Sequence, residues 1–114
     1  MPTTEIPLPE VLESTYIVVW EYQVKAECQA EFVAAYGPDG EWARLFRRSP
    51  EFVGVELLGS VGNATRFFTL DHWGSQAAMD EFLASNATAY DVLDRRFTGL
   101  TVWERRIGGF SCDA

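Results

Sequence analysis

The sequence predicts an α+β domain of ferredoxin-like, split βαβ architecture: a four-stranded antiparallel sheet with its helices on one face. Three observations lead there. Segments of period-two and helical hydrophobicity follow in the order strand, helix, strand, strand, helix, strand. The strand segments are rich in β-branched and aromatic residues. A length of 114 residues leaves room for one domain only.

Residues 1–15 carry Pro2, Pro7 and Pro9 and read as an extended N-terminal arm. The domain proper is expected over 16–110, with 111–114 as a tail. Tyr16 to Val24 is the first strand. Val18, Trp20, Tyr22 and Val24 share one face, and Ile17, Val19, Glu21 and Gln23 share the other. A helix is predicted from Glu27 to Tyr36, with Phe32 and Tyr36 four apart on one side.

Gly37-Pro38-Asp39-Gly40 breaks that helix, because proline cannot continue the backbone ladder. A short second helix follows, with Trp42, Leu45 and Phe46 on its buried side. Phe52 to Ser60 is the second strand, and Val61-Gly62-Asn63-Ala64 connects it to a third at Arg66 to Trp73. Ser75 caps the next helix, whose inward residues are Met79, Phe82 and Leu83. A further helix carries Tyr90, Leu93 and Phe97 and ends near Gly99. Leu100 to Ile107 is the last strand, after which Gly108-Gly109 is expected to release the tail. Helices on one face leave Ile17, Val19, Phe68 and Leu70 on the other. That face is too apolar for water and is expected to be buried in a homodimer.

Composition narrows the function classes. Hydrophobic content of 47% marks a packed protein. A formal net charge of -8 argues against nucleic acid or an anionic membrane as partner, since both require a basic surface. No export signal or spanning segment is read, so a cytoplasmic protein with Cys28 and Cys112 reduced is expected. Asn63-Ala64-Thr65 and Asn86-Ala87-Thr88 are then chance matches to the glycosylation pattern. His72 is the single histidine and no Cys/His cluster exists, so no metal site is expected.

Chemistry concentrates at Asp71-His72-Trp73, where the third strand turns into the Ser75-capped helix. Alternation places Asp71 with Trp73 on the helix-facing side and His72 on the opposite side. A buried carboxylate needs a partner or a raised pKa. For Asp71 the structural alternative is an ion pair with Arg44, and the catalytic one is a general base. His72 is the side chain suited to proton transfer near neutral pH, with an interface role as its plainer alternative.

The segments Gly37-Pro38-Asp39-Gly40-Glu41-Trp42-Ala43-Arg44-Leu45-Phe46, Asp71-His72-Trp73-Gly74-Ser75 and Leu100-Thr101-Val102-Trp103-Glu104-Arg105 resemble the antibiotic biosynthesis monooxygenase superfamily of dimeric α+β barrels. The resemblance spans Tyr16 to Phe110. It implies a homodimer with a pocket in each subunit between sheet and helices. It also implies O₂-dependent oxidation of a small aromatic, anthrone- or quinol-type substrate without a bound cofactor. Trp73, Trp20, Tyr22 and Tyr90 would hold the ring, with Asp71 or His72 assisting proton removal. A haem-degrading branch carries a first-strand asparagine, a tryptophan ending the third strand and a histidine on the next helix. Only Trp73 corresponds, so that activity is not expected. The alternative is a homodimer of the same fold that binds a small molecule or is structural, without catalysis.

Overall fold

Period-two burial in the first strand organises the molecule. The computed structural model describes residues 14–112. In β1 (Tyr16–Val24) the side chains of Tyr16, Val18, Tyr22 and Val24 are buried beneath the helices. β2 (Phe52–Gly59), β3 (Arg66–Trp73) and β4 (Thr101–Ser111) complete an antiparallel sheet of order β2-β3-β1-β4. β1 lies between β3 and β4, with Tyr16 opposite Trp73 on one side and Ser111 on the other. This is the ferredoxin-like arrangement, and the expected fold class holds. The residues assigned to the N-terminal arm lie almost wholly outside the described ones.

Among the described residues the helical layer has four members: α1 (Gln29–Tyr36), α2 (Glu41–Phe46), α3 (Gln76–Ser85) and α4 (Ala87–Phe97). α1 begins later than expected, because a 3₁₀ turn at Ala26–Cys28 takes its first residues. Ser75 caps α3 by accepting the Ala78 amide at 3.0 Å, which satisfies one orphan donor of the first turn. No helix among the described residues is long and apolar enough to cross a membrane. Cys28 and Cys112 are free thiols.

Aromatic residues carry the core. Phe32 and Tyr36 stack at 4.2 Å between centroids, and Phe46 meets Phe52, Trp73 and Phe82 within 5.6 Å. Trp73 is 1% exposed; burial on this scale contributes about 1.5–3 kcal/mol for each large apolar side chain.

The last strand differs from its expected end. Gly108 and Gly109 do not release the chain; they pair with Val19 and Val18 inside β4. The ring of Tyr16, from the neighbouring strand, occupies the space where a Cβ on Gly109 would lie. Glycine is here a close-packing residue, where the sequence reads as a terminator. Beyond it the Cys112 amide still bonds to the Thr15 carbonyl at 3.1 Å.

Candidate functional site

A recess opens between the helix-facing side of the sheet and the helical layer. β1 supplies Trp20 and Tyr22, β2 Val55, β3 Thr69 and Asp71, and β4 Glu104. From the other layer come Tyr36 of α1, Trp42, Ala43 and Phe46 of α2, and Tyr90 and Asp94 of α4. The space is about 450 Å³ counting its mouth. Sites of this size lie at the small end for organic ligands.

Local sequence sets each wall. Alternation delivers Trp20 with Tyr22, and Thr69 with Asp71, to the same side; β1–β3 register brings Trp20 opposite Thr69 and Tyr22 opposite Phe67. The Gly37-Pro38-Asp39-Gly40 turn closes with the Gly40 amide bonded to the Gly37 carbonyl at 3.0 Å. It folds α2 back so that Trp42, in the first turn of that helix, is buried. A Cβ at Gly40 would strike the carbonyl oxygens of Ala34 and Ala35, so only glycine permits this approach. The rings then order one another: Trp42 meets Tyr90 edge-on at 4.9 Å, Tyr22 meets Tyr36 at 5.2 Å, and Trp20 stacks beside Tyr22 at 6.5 Å.

Polar groups in this aromatic setting are few and telling. The Asp71 carboxylate is 9% exposed and makes no hydrogen bond or ion pair among the described residues. Burial alone pushes its pKa up to about 7, because the charged form loses hydration without a compensating partner. The indole N–H of Trp42 is buried with no well-formed hydrogen bond; it faces the Tyr36 hydroxyl, whose pKa it acts to lower. Tyr22 shares a 3.0 Å hydrogen bond with Thr69. Burial raises the phenols of Tyr22 and Tyr36 well above the usual tyrosine range, and Tyr90 to about 12. All three remain neutral hydrogen-bond donors near pH 7. Glu104 is also raised, first by burial and then by the neighbouring Asp94.

Two expected placements are corrected, those of Arg44 and Trp73, while His72 lies on the face that alternation gave it. Arg44 does not pair with Asp71; its guanidinium donates to the Asp39 carbonyl at 3.0 Å and lies 3.9 Å from Glu41, facing solvent. The short α2 turns that side outward when it buries Trp42 and Phe46. Trp73 does not line the recess: Phe46, Phe52 and Phe82 enclose it in the core two residues beyond Asp71. His72 lies on the far face of the sheet, where Nδ1 is 2.9 Å from the Ser14 hydroxyl and Nε2 is 2.6 Å from Glu56. Alternation along β3 makes a shared site for His72 and Asp71 geometrically unavailable.

Trp20, Tyr22, Tyr90 and Asp71 do share the recess. Periodicity places Trp42 and Tyr36 in the core and does not single out Asp94 or Glu104, which also line the recess. The available signal was Glu104 itself, a carboxylate on the inward phase of an otherwise apolar strand start. Among the described residues no group of His, Cys, Asp and Glu is arranged to hold a metal ion.

The sequence profile described as antibiotic biosynthesis monooxygenase matches residues 15–89. No functionally curated protein matches significantly. The fold is similar to SnoaB, a cofactor-independent oxygenase from Streptomyces nogalater, at 21% identity and a TM-score of 0.68 over 89% of this chain and 95% of that one. It is similar to the ActVA-Orf6 monooxygenase of Streptomyces coelicolor, solved with nanaomycin D, at 15% identity and a TM-score of 0.73 over 93% and 96%. MhuD, solved with two manganese protoporphyrin IX per active site, matches at 21% identity and a TM-score of 0.66 over 87% and 95%.

Proposed function

The chain belongs to the antibiotic biosynthesis monooxygenase family, and from that premise we propose that it is a cofactor-independent monooxygenase. Its substrate is a small aromatic of anthrone or quinol type, oxidised by O₂ in the Asp71 recess of each subunit of a homodimer. The observation that carries this reading is the unpaired, buried Asp71 carboxylate held near neutral pKa among aromatic rings. A base with that pKa is half ionised at the pH where it must work, which is the optimum for proton transfer.

The chemistry needs little more. Asp71 removes the acidic O–H or activated C–H proton, and the resulting electron-rich anion donates one electron to O₂. Recombination of the radical pair forms a C–O bond, and the hydroperoxide then loses water to leave a carbonyl. A ring methylene is oxidised by four electrons, O₂ is reduced by four, and one oxygen leaves as water. Trp20, Tyr22 and Tyr90 hold the ring, a positioning role that supplies much of the rate enhancement. The Trp42 N–H, which shares the recess with the Tyr36 hydroxyl, is a donor for the oxyanion that develops.

Haem chemistry finds less support. The single histidine is bonded to Ser14 and Glu56 on the opposite face, and no histidine lines the recess.

Oxygen uptake with a panel of anthrones and hydroquinones tests the proposal, with chelator present. Wild type should consume one O₂ per anthraquinone formed from an anthrone and release no H₂O₂, and Asp71→Asn should lose about 10²-fold or more in kcat/KM. No uptake across the panel would sink the oxygenase reading and leave a ligand-binding homodimer of the same fold.

A further inference from the structure

The recess carries an uneven charge. Asp71, Asp94 and Glu104 face it, and no lysine, arginine or histidine lines it. Basic residues around it are engaged elsewhere: Arg95 with Asp91 at 3.0 Å, Arg96 and Arg44 with Glu41 at 3.3 and 3.9 Å, and Arg106, opposite Trp20 on β4, with the Tyr16 hydroxyl at 3.1 Å. Asp94 and Glu104 come from different elements, α4 and β4, and both are solvent-exposed at the recess. Asp71 is nine-tenths buried and unpartnered. Around them stand the π faces of Trp20, Tyr22, Tyr36, Trp42 and Tyr90.

We propose that this recess selects a cationic substrate, a hydroxyaryl ring bearing a protonated alkylamine. The ammonium group sits between Asp94 and Glu104 against the aromatic faces, and the ring hydroxyl points inward to Asp71. The carboxylates supply Coulomb attraction and the ring quadrupoles supply cation–π attraction, both stronger in a partly dry recess than in water. Asp94 adds a like-charge contribution, second to burial, to the raised Glu104, and a bound ammonium relieves that repulsion. An anionic aromatic meets three carboxylates and is excluded on the same grounds. A bare divalent ion does not answer the arrangement, since among the described residues these carboxylates are not grouped as metal ligands.

This preference rests on the recess being the substrate site proposed above, but it is tested by binding alone. Titration calorimetry under nitrogen would compare tyramine with its neutral analogue 2-(4-hydroxyphenyl)ethanol and its anionic analogue 4-hydroxyphenylacetate. Tyramine is expected to bind about tenfold tighter than the alcohol or better, and the anion weakest. The Asp94→Asn/Glu104→Gln pair, both on exposed positions, should collapse the spread among the three to within about twofold. Circular dichroism would confirm that the pair still folds. Equal affinities in wild type, tighter binding of the alcohol or anion, a preference that survives the double substitution, or no binding of any probe would each overturn it. A cation preference without oxygen uptake supports this inference while overturning the oxygenase reading. Uptake with neutral quinols and no cation preference does the reverse.

Discussion

Asp71 concentrates both the cost and the use of the recess in one side chain. Its folded-state pKa of about 7 lies above the 3.8 of a free aspartate, so between those values the native state holds a proton that the unfolded chain has released. Between those limits stability falls as pH rises, and above pH 7 the full cost of the buried charge is present. Asp71→Asn keeps the shape and removes the charge. It is expected to raise stability by about 1–3 kcal/mol at pH 8 and to change it little at pH 4, read as urea midpoints at the two pH values. Wild-type kcat/KM should instead rise with pH through about 7, since only the carboxylate is a base. A stability gain equal at both pH values would show that burial of charge is not the cause. The burial of Asp71 was legible from β-strand alternation alone. Its isolation was not, because whether Arg44 reaches it depends on the rotation of a six-residue helix that periodicity cannot fix.

At the scale of elements, the legible parts are those whose own residues determine them. β1 and β3 carry unambiguous alternation, and their observed bounds match the expected ones. β4 was legible only in part, because Gly108-Gly109 signals a break locally and a close contact tertiarily. The Gly37-Pro38-Asp39-Gly40 turn was read as a simple interruption, yet it decides where α2 sits and so whether Trp42 enters the recess. Gly40→Ala forces a methyl into the carbonyls of Ala34 and Ala35. Relief requires α2 to move away from α1, at an expected cost of about 1–3 kcal/mol. Thermal unfolding would measure that loss. Because Trp42 moves with α2, ligand affinity should fall as well, while Gly62→Ala, with open space at its Cβ, should leave both unchanged.

The whole molecule has two unlike faces. The helix-facing side of the sheet is covered, and the other carries the half-buried Ile17, Val19, Phe68 and Leu70 with Leu58, Trp103 and Phe110 at 42–48% exposure. Within that face Glu21 is buried between Arg66 at 2.7 Å and Arg105 at 2.8 Å. These arginines hold its carboxyl below the usual range and lie over Phe68 and Trp103. The Glu21 carboxylate is therefore fully paired by partners that also add to the apolar surface, and the cluster keeps one positive charge. A second copy covering this face gains hydrophobic area without burying an unpaired carboxylate. Each chain nevertheless brings a net charge of -8, so association works against long-range repulsion. Light scattering at micromolar concentration should give twice the 12.8 kDa of one chain. Dissociation on dilution should be stronger in 20 mM than in 300 mM salt, because added ions screen the repulsion and leave apolar contact intact. The Leu58→Asp/Trp103→Asp pair alters two exposed side chains and should yield a folded monomer. A wild-type monomer at micromolar concentration, or a dimer indifferent to those two charges, would place the interface elsewhere or nowhere.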